Sequence, residues 1–415
     1  MSVKRLYQVL ISALIFLIPT NLFLVLTEVG SRVHGLRVDY LLPKLWAIDL
    51  LIWVLIFLWI VEEKQHHFKT IKKWQKTLFK KPKKLLVVVG MLSALLITRQ
   101  FLAVHNLIAI WTLFSWIKLS FLAVVLYQKR QLLTESFTYK SLAITVLFQS
   151  LVGLWQFFTQ HSVATYWFLG ETNISSFAGL AKSTLGGVER VLPYGTTAHP
   201  NVLGGFMSLS LLLLIPFWRT RKDSFVKSAI ALCMGAGLAT LIATQSLSAW
   251  LTLGVGIVII LWRPLFTKLP SRILLSGIIG IFLLSIWLPL PADSLSVTRR
   301  QYLNQAALRM SIHHPFIGVG VQNFTTQVEK YSPSKEVVRF VQPAHNAVLL
   351  FFAETGILGL MLVLLLCKLC KHPTHVLVFL PLLPILLLDH YLLTIQSGNV
   401  LMLFYFIQIK TRNIP

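Results

Sequence analysis

Apolar runs of roughly 15 to 22 residues recur along the whole chain, separated by short polar segments, and about 20 residues are needed to cross hydrocarbon as a helix. None of the runs alternates apolar and polar positions as a barrel strand would. The pattern predicts an all-α fold: a polytopic transmembrane helical bundle of about 12 spans, forming a single integral membrane domain over residues 1–415. Runs at about 7–26, 45–61, 85–98, 107–127 and 141–158 are the first five spans. The sixth opens at Pro200, a residue suited to the first helical turn, where its missing N–H costs nothing. Further spans are expected at about 228–244, 249–262, 273–290, from His345 onward, 376–393 and 398–409. Two polar stretches interrupt the rhythm, at 159–199 and, between spans nine and ten, at 291–345.

Charge orients these spans. The net charge of +24 comes from 38 Lys and Arg against 14 Asp and Glu, but it is spread over short loops and forms no groove-sized patch, which argues against a nucleic-acid partner. Lys4, Arg5, the lysine-rich loop 62–84, Lys129, Arg130, segment 219–223, Arg263, Lys268, Arg272, Lys410 and Arg412 all fall on one side if the spans alternate. By the positive-inside bias that side is the cytoplasm, both termini are cytoplasmic, and segments 159–199 and 291–345 are outer loops. The basic loop 62–84 reads as an anchor on anionic membrane lipids.

Composition agrees with this reading: 56% hydrophobic and 13% charged residues give a chain too apolar for a soluble domain. Its three cysteines, Cys233, Cys367 and Cys370, lie in or at the ends of expected spans and imply no disulfide framework. Cys367 and Cys370 form a CxxC with no second pair at metal spacing, a pattern that fits packing better than zinc. Asp49 and Lys118 fall inside spans two and four, where a charge calls for a partner or a polar cavity. Mutual pairing is the simpler expectation.

The chemistry gathers in the larger outer loop. Arg299, Arg300, Arg309, Lys330, Lys335 and Arg339 outnumber Asp293, Glu329 and Glu336, against the usual bias for an outer segment. Guanidinium forks match phosphate oxygens bidentately, so a phosphate-bearing substrate is one reading and lipid headgroups are the other. Residues 301–312 predict an amphipathic helix with Leu303, Ala306, Ala307 and Met310 on one face, ended by Pro315 and the glycines that follow. Arg300 and Arg309 then lie half a turn apart, so at most one faces a given ligand. His345 stands at the mouth of span ten beside the capping residue Asn346, wet enough to act as a base, though a lone histidine there is more often a cap or an interface residue. His199 and Asn201 stand similarly at the mouth of span six. No acidic cluster outside offers a hard cation a home, so neither metal nor cofactor is expected.

Three stretches together resemble the O-antigen ligase and polymerase family of bacterial membrane glycosyltransferases. They are PYGTTAHPN (193–201), R-x14-P-x2-GVG-x2-NF (300–324) and H-N-x2-L-x4-E-x-G-x2-G (345–359), with weaker similarity in GLRVDYLLPK and LLLDHYLLT. The resemblance implies transfer of a glycan from an undecaprenyl-pyrophosphate donor to a glycan, lipid or other hydroxyl acceptor at the outer face of the bacterial cytoplasmic (inner) membrane, without metal or nucleotide sugar. It implies His345 as base and Arg300 as the ligand of the pyrophosphate. Arg190, His199, Asn201, Arg299, Arg309 and Asn346 are the remaining candidates for substrate binding. Two positions depart from the family pattern: Leu192 stands where an arginine is usual, with Arg190 two residues earlier, and Leu247 stands after Ser246 in place of another. A transporter or flippase of lipid-linked sugars is the alternative, which an inverted repeat would favour; none is evident.

Overall fold

The structure, a computed structural model, describes residues 2–66, 72, 83–174, 179–266, 276–278, 280–282, 295–338, 340–369 and 375–411. Most of the lysine-rich loop, most of the ninth expected span, Lys268, Arg272, Asp293, Arg339, Cys370 and Arg412 lie outside these residues. Helices dominate, accompanied by three two-stranded antiparallel ribbons.

Helix α1 (Val3–Leu17) is capped by Ser2 and ends well before residue 26, because Pro19 has no N–H with which to continue the ladder. The chain then runs extended as β1 (Phe23–Val25), which pairs with β4 (Lys44–Trp46) around the small ribbon of β2 (Arg32–Val33) and β3 (Leu36–Arg37). Helices α2 (Ala47–Gln65), α3 (Lys83–Phe101), α4 (Asn106–Gln128) and α5 (Ser136–Thr159) follow, and the hairpin of β5 (Lys182–Leu185) and β6 (Val188–Val191) lies in the polar segment after α5. Helix α6 (Pro200–Thr220) begins at Pro200 as expected, and with 78% of its apolar window buried it is the central helix of the bundle. Around it pack α5, α7 (Ser224–Ala243) and α8 (Leu247–Phe266). The remainder comprises α9 (Leu295–His313), α10 (Phe324–Tyr331), α11 (Ala347–Leu369), α12 (His375–Phe379), α13 (Leu383–Leu388), α14 (Tyr391–Thr394) and α15 (Gln396–Thr411).

Among the described residues, five helices are long and apolar enough to cross a membrane: α4, α5, α6, α7 and the 347–365 part of α11. Three shorter apolar helices, 86–101, 247–262 and 377–388, accompany them. The protein is a multi-pass, mainly helical membrane protein. The run expected as span eleven is not one helix. It passes through a 3₁₀ turn at Leu380–Leu382 and stops at Leu388, with Asp389 extended at φ −153°. Prolines 381 and 384 account for the irregular start, since neither can donate to a preceding turn.

Asp49 and Lys118 do pair. Lys118 Nζ lies 2.5 Å from Asp49 Oδ1, and Asp49 also accepts from Gln396 Nε2 at 2.8 Å and from the Trp46 N–H at 3.1 Å. Both charged side chains are buried, so the pair ties α2, α4 and α15 together, and removing one partner would strand the other.

A second core, built on Leu303, Ala306, Ala307, Met310, Phe324, Val328 and Leu350, stands apart from the main bundle core and packs the amphipathic face of α9 against α10 and α11. The four residues assigned to that face from spacing are all fully buried. Helix α11 is broken inside this core at Gly356, where φ is +64°. Segment 315–320 fills the break: the N–H groups of Val319 and Gly320 donate to the carbonyls of Ala353 and Glu354 at 2.9 and 3.0 Å, and those of Ile357 and Leu358 donate to Pro315 and Phe316 at 2.7 and 3.1 Å. The approach is backbone to backbone, since a Cβ on Gly318 would lie 2.2 Å from the Glu354 carbonyl carbon. Glu354 completes the joint by accepting from Tyr40 Oη at 2.8 Å and from the Phe324 N–H at 3.1 Å. The P-x2-GVG-x2-NF and E-x-G stretches are thus two halves of one tertiary contact.

Candidate active site

Segment 193–201 is held by two glutamines, seven residues apart and therefore on one face of α5. Gln156 Oε1 accepts from the N–H groups of Tyr194 and Gly195 at 3.0 and 2.7 Å, while its Nε2 donates to the Gly195 carbonyl and to Glu171. Gln149 binds the Thr196 N–H and hydroxyl at 3.0 and 2.6 Å. The loop so fixed ends at His199, the N-cap of α6, whose Nδ1 accepts from the Asn201 N–H at 3.1 Å.

Arg300 sits near the start of α9 and His345 just before α11. The two elements meet where the Asn346 N–H donates to Asn304 Oδ1 at 3.3 Å. Asn346 is the cap of α11: its Oδ1 accepts from the N–H groups of Val348 and Leu349, both at 3.1 Å. His345 is therefore not needed as the cap. Its Nδ1 is buried with no hydrogen-bond partner, and its ring stands edge-on to His390 with centroids 5.1 Å apart. At 9% exposure the imidazole is buried rather than wet, a correction to the sequence reading that follows from the turn containing Asp389 and His390 packing against it.

Asp389 and His390 are members of this site that sequence reasoning did not single out. Asp389 accepts from Asn201 Nδ2 and from the His390 N–H, each at 2.8 Å, and His390 Nδ1 lies 2.7 Å from Thr394 Oγ1. The signal available was LLLDHYLLT, two polar residues inside an apolar run, where a charge marks function by default.

These groups line one cavity of about 1280 Å³, together with Arg37, Asp39, Lys44, Tyr194, Asn201, Tyr391 and others. Its electrostatics follow from burial. The His199 pKa is pushed down to about 4 by burial first, with Asp389 opposing and Arg300 and His390 adding. His345 is pushed well below its ordinary value by burial, then by His390 and Arg300, so its imidazole is neutral at neutral pH. For Asp389 burial works upward, but His390, His345, His199 and Arg300 outweigh it and hold the carboxylate below its usual range. A neutral imidazole beside a fixed guanidinium, with a carboxylate behind, can accept a proton while the guanidinium neutralises an anion.

The other candidates lie elsewhere. Arg190 is on β6, cross-strand from Ser183, and does not line the cavity, although Leu192 does. The Arg299 guanidinium stacks over the Phe340 ring at 4.8 Å. Arg309 is exposed on α9, and its separation from Arg300 is the one the helical wheel requires. Ser246 is buried and Leu247 exposed at the start of α8, while the neighbouring Gln245 reaches the cavity. Among the described residues, no three His, Cys, Asp or Glu side chains are grouped to hold a metal ion.

Residues 229–364, which include Arg300 and His345, match the family model described as O-antigen ligase. The match covers 136 of the 415 residues, about a third of the chain. That family is concerned with glycan transfer in cell-surface polysaccharide. A comparison with curated proteins gives no match. The matched stretch supplies Arg300 and His345, whereas His199, Asn201, Asp389 and His390 come from outside it and complete the cavity from both sides in sequence.

Proposed function

We propose that the protein transfers a glycan from an undecaprenyl-pyrophosphate carrier to an acceptor hydroxyl at the outer face of the bacterial cytoplasmic membrane, with both termini inside. The observation that carries this reading is His345: buried, held neutral, its Nδ1 unpartnered, and facing the cavity that also holds Arg300. The imidazole takes the acceptor hydroxyl proton as the oxygen attacks the anomeric carbon. The bond from that carbon to the phosphate oxygen breaks, and the pyrophosphate leaves with its charge stabilised by Arg300. Asp389 steadies the imidazolium that forms, as an orienting carboxylate does in other general-base sites. The step is written without a metal ion.

His345→Ala is expected to slow single-turnover transfer by about 10²-fold or more and to leave donor binding near normal, since general-base catalysis contributes about 10² to 10⁴. Arg300→Lys keeps the charge and loses the fork, so donor affinity and turnover both fall, and Arg300→Ala falls further. Near-normal transfer by His345→Ala would refute the assignment. A wild-type protein that moves lipid-linked sugar across the bilayer and forms no glycosidic bond would overturn the reading as a whole.

A further inference from the structure

The cavity is larger than a diphosphate and one sugar require, because about 300–1,000 Å³ already accommodates a drug-sized ligand. One end carries the histidine cluster. Another part of the wall is built by the extended N-terminal segment and carries Phe23, Arg37, Asp39, Lys44 and Trp46. Its cation is unusual. The Lys44 side chain is only 13% exposed, and Nζ sits 4.3 Å from the centre of the Phe23 ring and 5.7 Å from that of Trp46. Its ion pair is a loose one: Asp39 Oδ2 is 3.7 Å away and belongs to a side chain 73% exposed.

A lysine has three N–H donors, and a buried one is costly unless they are used. Strand β4 fixes the backbone of Lys44 through its register with Val25, and the Phe23 and Trp46 rings beside Nζ shield the side chain from water. The electrostatic neighbours of Lys44 are Asp39 and Arg37, whereas those of His345 are His390, Arg300, Asp389 and His199. The two cationic centres are therefore separate parts of one cavity. Arg37 is already engaged with Glu28 at 3.2 Å, which leaves Lys44 as the cation aimed inward. Burial pushes its pKa below the ordinary lysine value against the pull of Asp39, and an anion arriving in the cavity would oppose that shift.

We infer that Lys44 is a specificity-determining residue that binds an acidic substituent on the transferred saccharide, a carboxylate or phosphate carried by the sugar and distinct from the carrier's pyrophosphate. This rests on the glycan-transfer reading, because a saccharide must occupy the cavity for Lys44 to meet its substituent. Phe23 and Trp46 form the wall that holds the ammonium in place, and the anion completes its shell as a charge-assisted hydrogen bond.

The test is binding by the full-length protein in lipid nanodiscs, followed by intrinsic tryptophan fluorescence, which requires no turnover. Trigalacturonate and its methyl ester differ in charge and little in shape. The wild type is expected to bind the acid at least tenfold more tightly than the ester. Lys44→Met should abolish that preference and Lys44→Arg should retain most of it, with both variants matching wild type in thermal stability. Inorganic pyrophosphate is the control: its binding should survive Lys44→Met and be lost in Arg300→Ala. Equal binding of acid and ester by the wild type overturns the inference. So does a loss of pyrophosphate binding in Lys44→Met, which would make Lys44 a second ligand of the carrier's diphosphate. Failure of the wild type to make a glycosidic bond would be seen separately, in the transfer assay, and would count against the proposed function.

Discussion

The His199→Asn substitution separates two roles of one side chain. Asparagine is among the best N-cap residues, so its side-chain oxygen can replace Nδ1 as acceptor for the first turn of α6, and the cap is retained. The titration is removed. His199 falls from 6.5 to about 4 on folding, so the sign is fixed: above pH 6.5 the imidazole is neutral in both states, and its protonation costs the folded state nothing. As pH falls through 6.5 the unfolded chain takes up a proton that the folded protein refuses, and stability is lost until about pH 4, where both are protonated. The full loss is about 3.4 kcal/mol and the loss between pH 7 and pH 5 is about 2 kcal/mol, both upper figures because the ring borders an open cavity. Unfolding by a denaturing detergent, titrated at pH 7, 6 and 5, would measure it. The wild type should lose more stability than His199→Asn across that interval, by a margin approaching about 2 kcal/mol. Parallel losses in the two proteins would refute the buried, neutral assignment of His199 and weaken that of His345, which rests on the same desolvated surroundings.

Three further outcomes follow from the structure. Gly318→Ala should cost about 2 to 6 kcal/mol or prevent folding, because φ is +62° and the added Cβ meets the Glu354 backbone at 2.2 Å; proteolysis of purified membranes would show it. Transfer should continue in EDTA and be unchanged by added magnesium or manganese, and a strict, reversible metal requirement would make Glu171, Glu189 and Asp293 the first carboxylates to test. In intact cells a cysteine introduced near Ser332 should react with an impermeant reagent and one near Lys76 should not, and the reverse result would invert the topology on which an outer site depends.

Much of the architecture is legible because it depends on local pattern. The start of α6 at Pro200 and the buried face of Leu303, Ala306, Ala307 and Met310 need only a proline rule and a period of 3.6. Asp49 and Lys118 were paired on cost alone, since each would otherwise be an uncompensated charge inside the bundle. The histidine cluster is different in kind. His199, His345 and His390 are brought together by contacts such as His345 with His390 and Asn201 with Asp389, the latter 188 residues apart, and nothing in the periodicity of residues 376–393 says that the helix ends at Leu388. Lys44 was hidden for the same reason, since a three-residue strand in a short loop leaves no pattern. The wetness expected of His345 failed because burial is decided by what folds over a residue, here the turn containing Asp389 and His390. Arg299 and Arg309 belonged to a charge count, and a count does not know which face of a helix a guanidinium leaves from.

The broken helix at Gly356 bears on how the protein could be re-engineered. Segment 315–320 lends its main-chain groups to α11 and borrows four of that helix's own in return, so the polar segment and the helix are interlocked parts, not a cassette mounted on a frame. Chimeras between relatives that exchange residues 295–344 alone would break this interlock, whereas exchange of 295–359 as a block would carry both halves of it. The N-terminal ribbon that holds Lys44 and the hairpin at 182–191 are also held by reciprocal bonds, of Tyr166 with Phe23 and of Gln160 with Val191, but these run through side chains rather than main chain to main chain. Variation in what the cavity accepts can therefore enter through those two walls while the interlocked part stays constant.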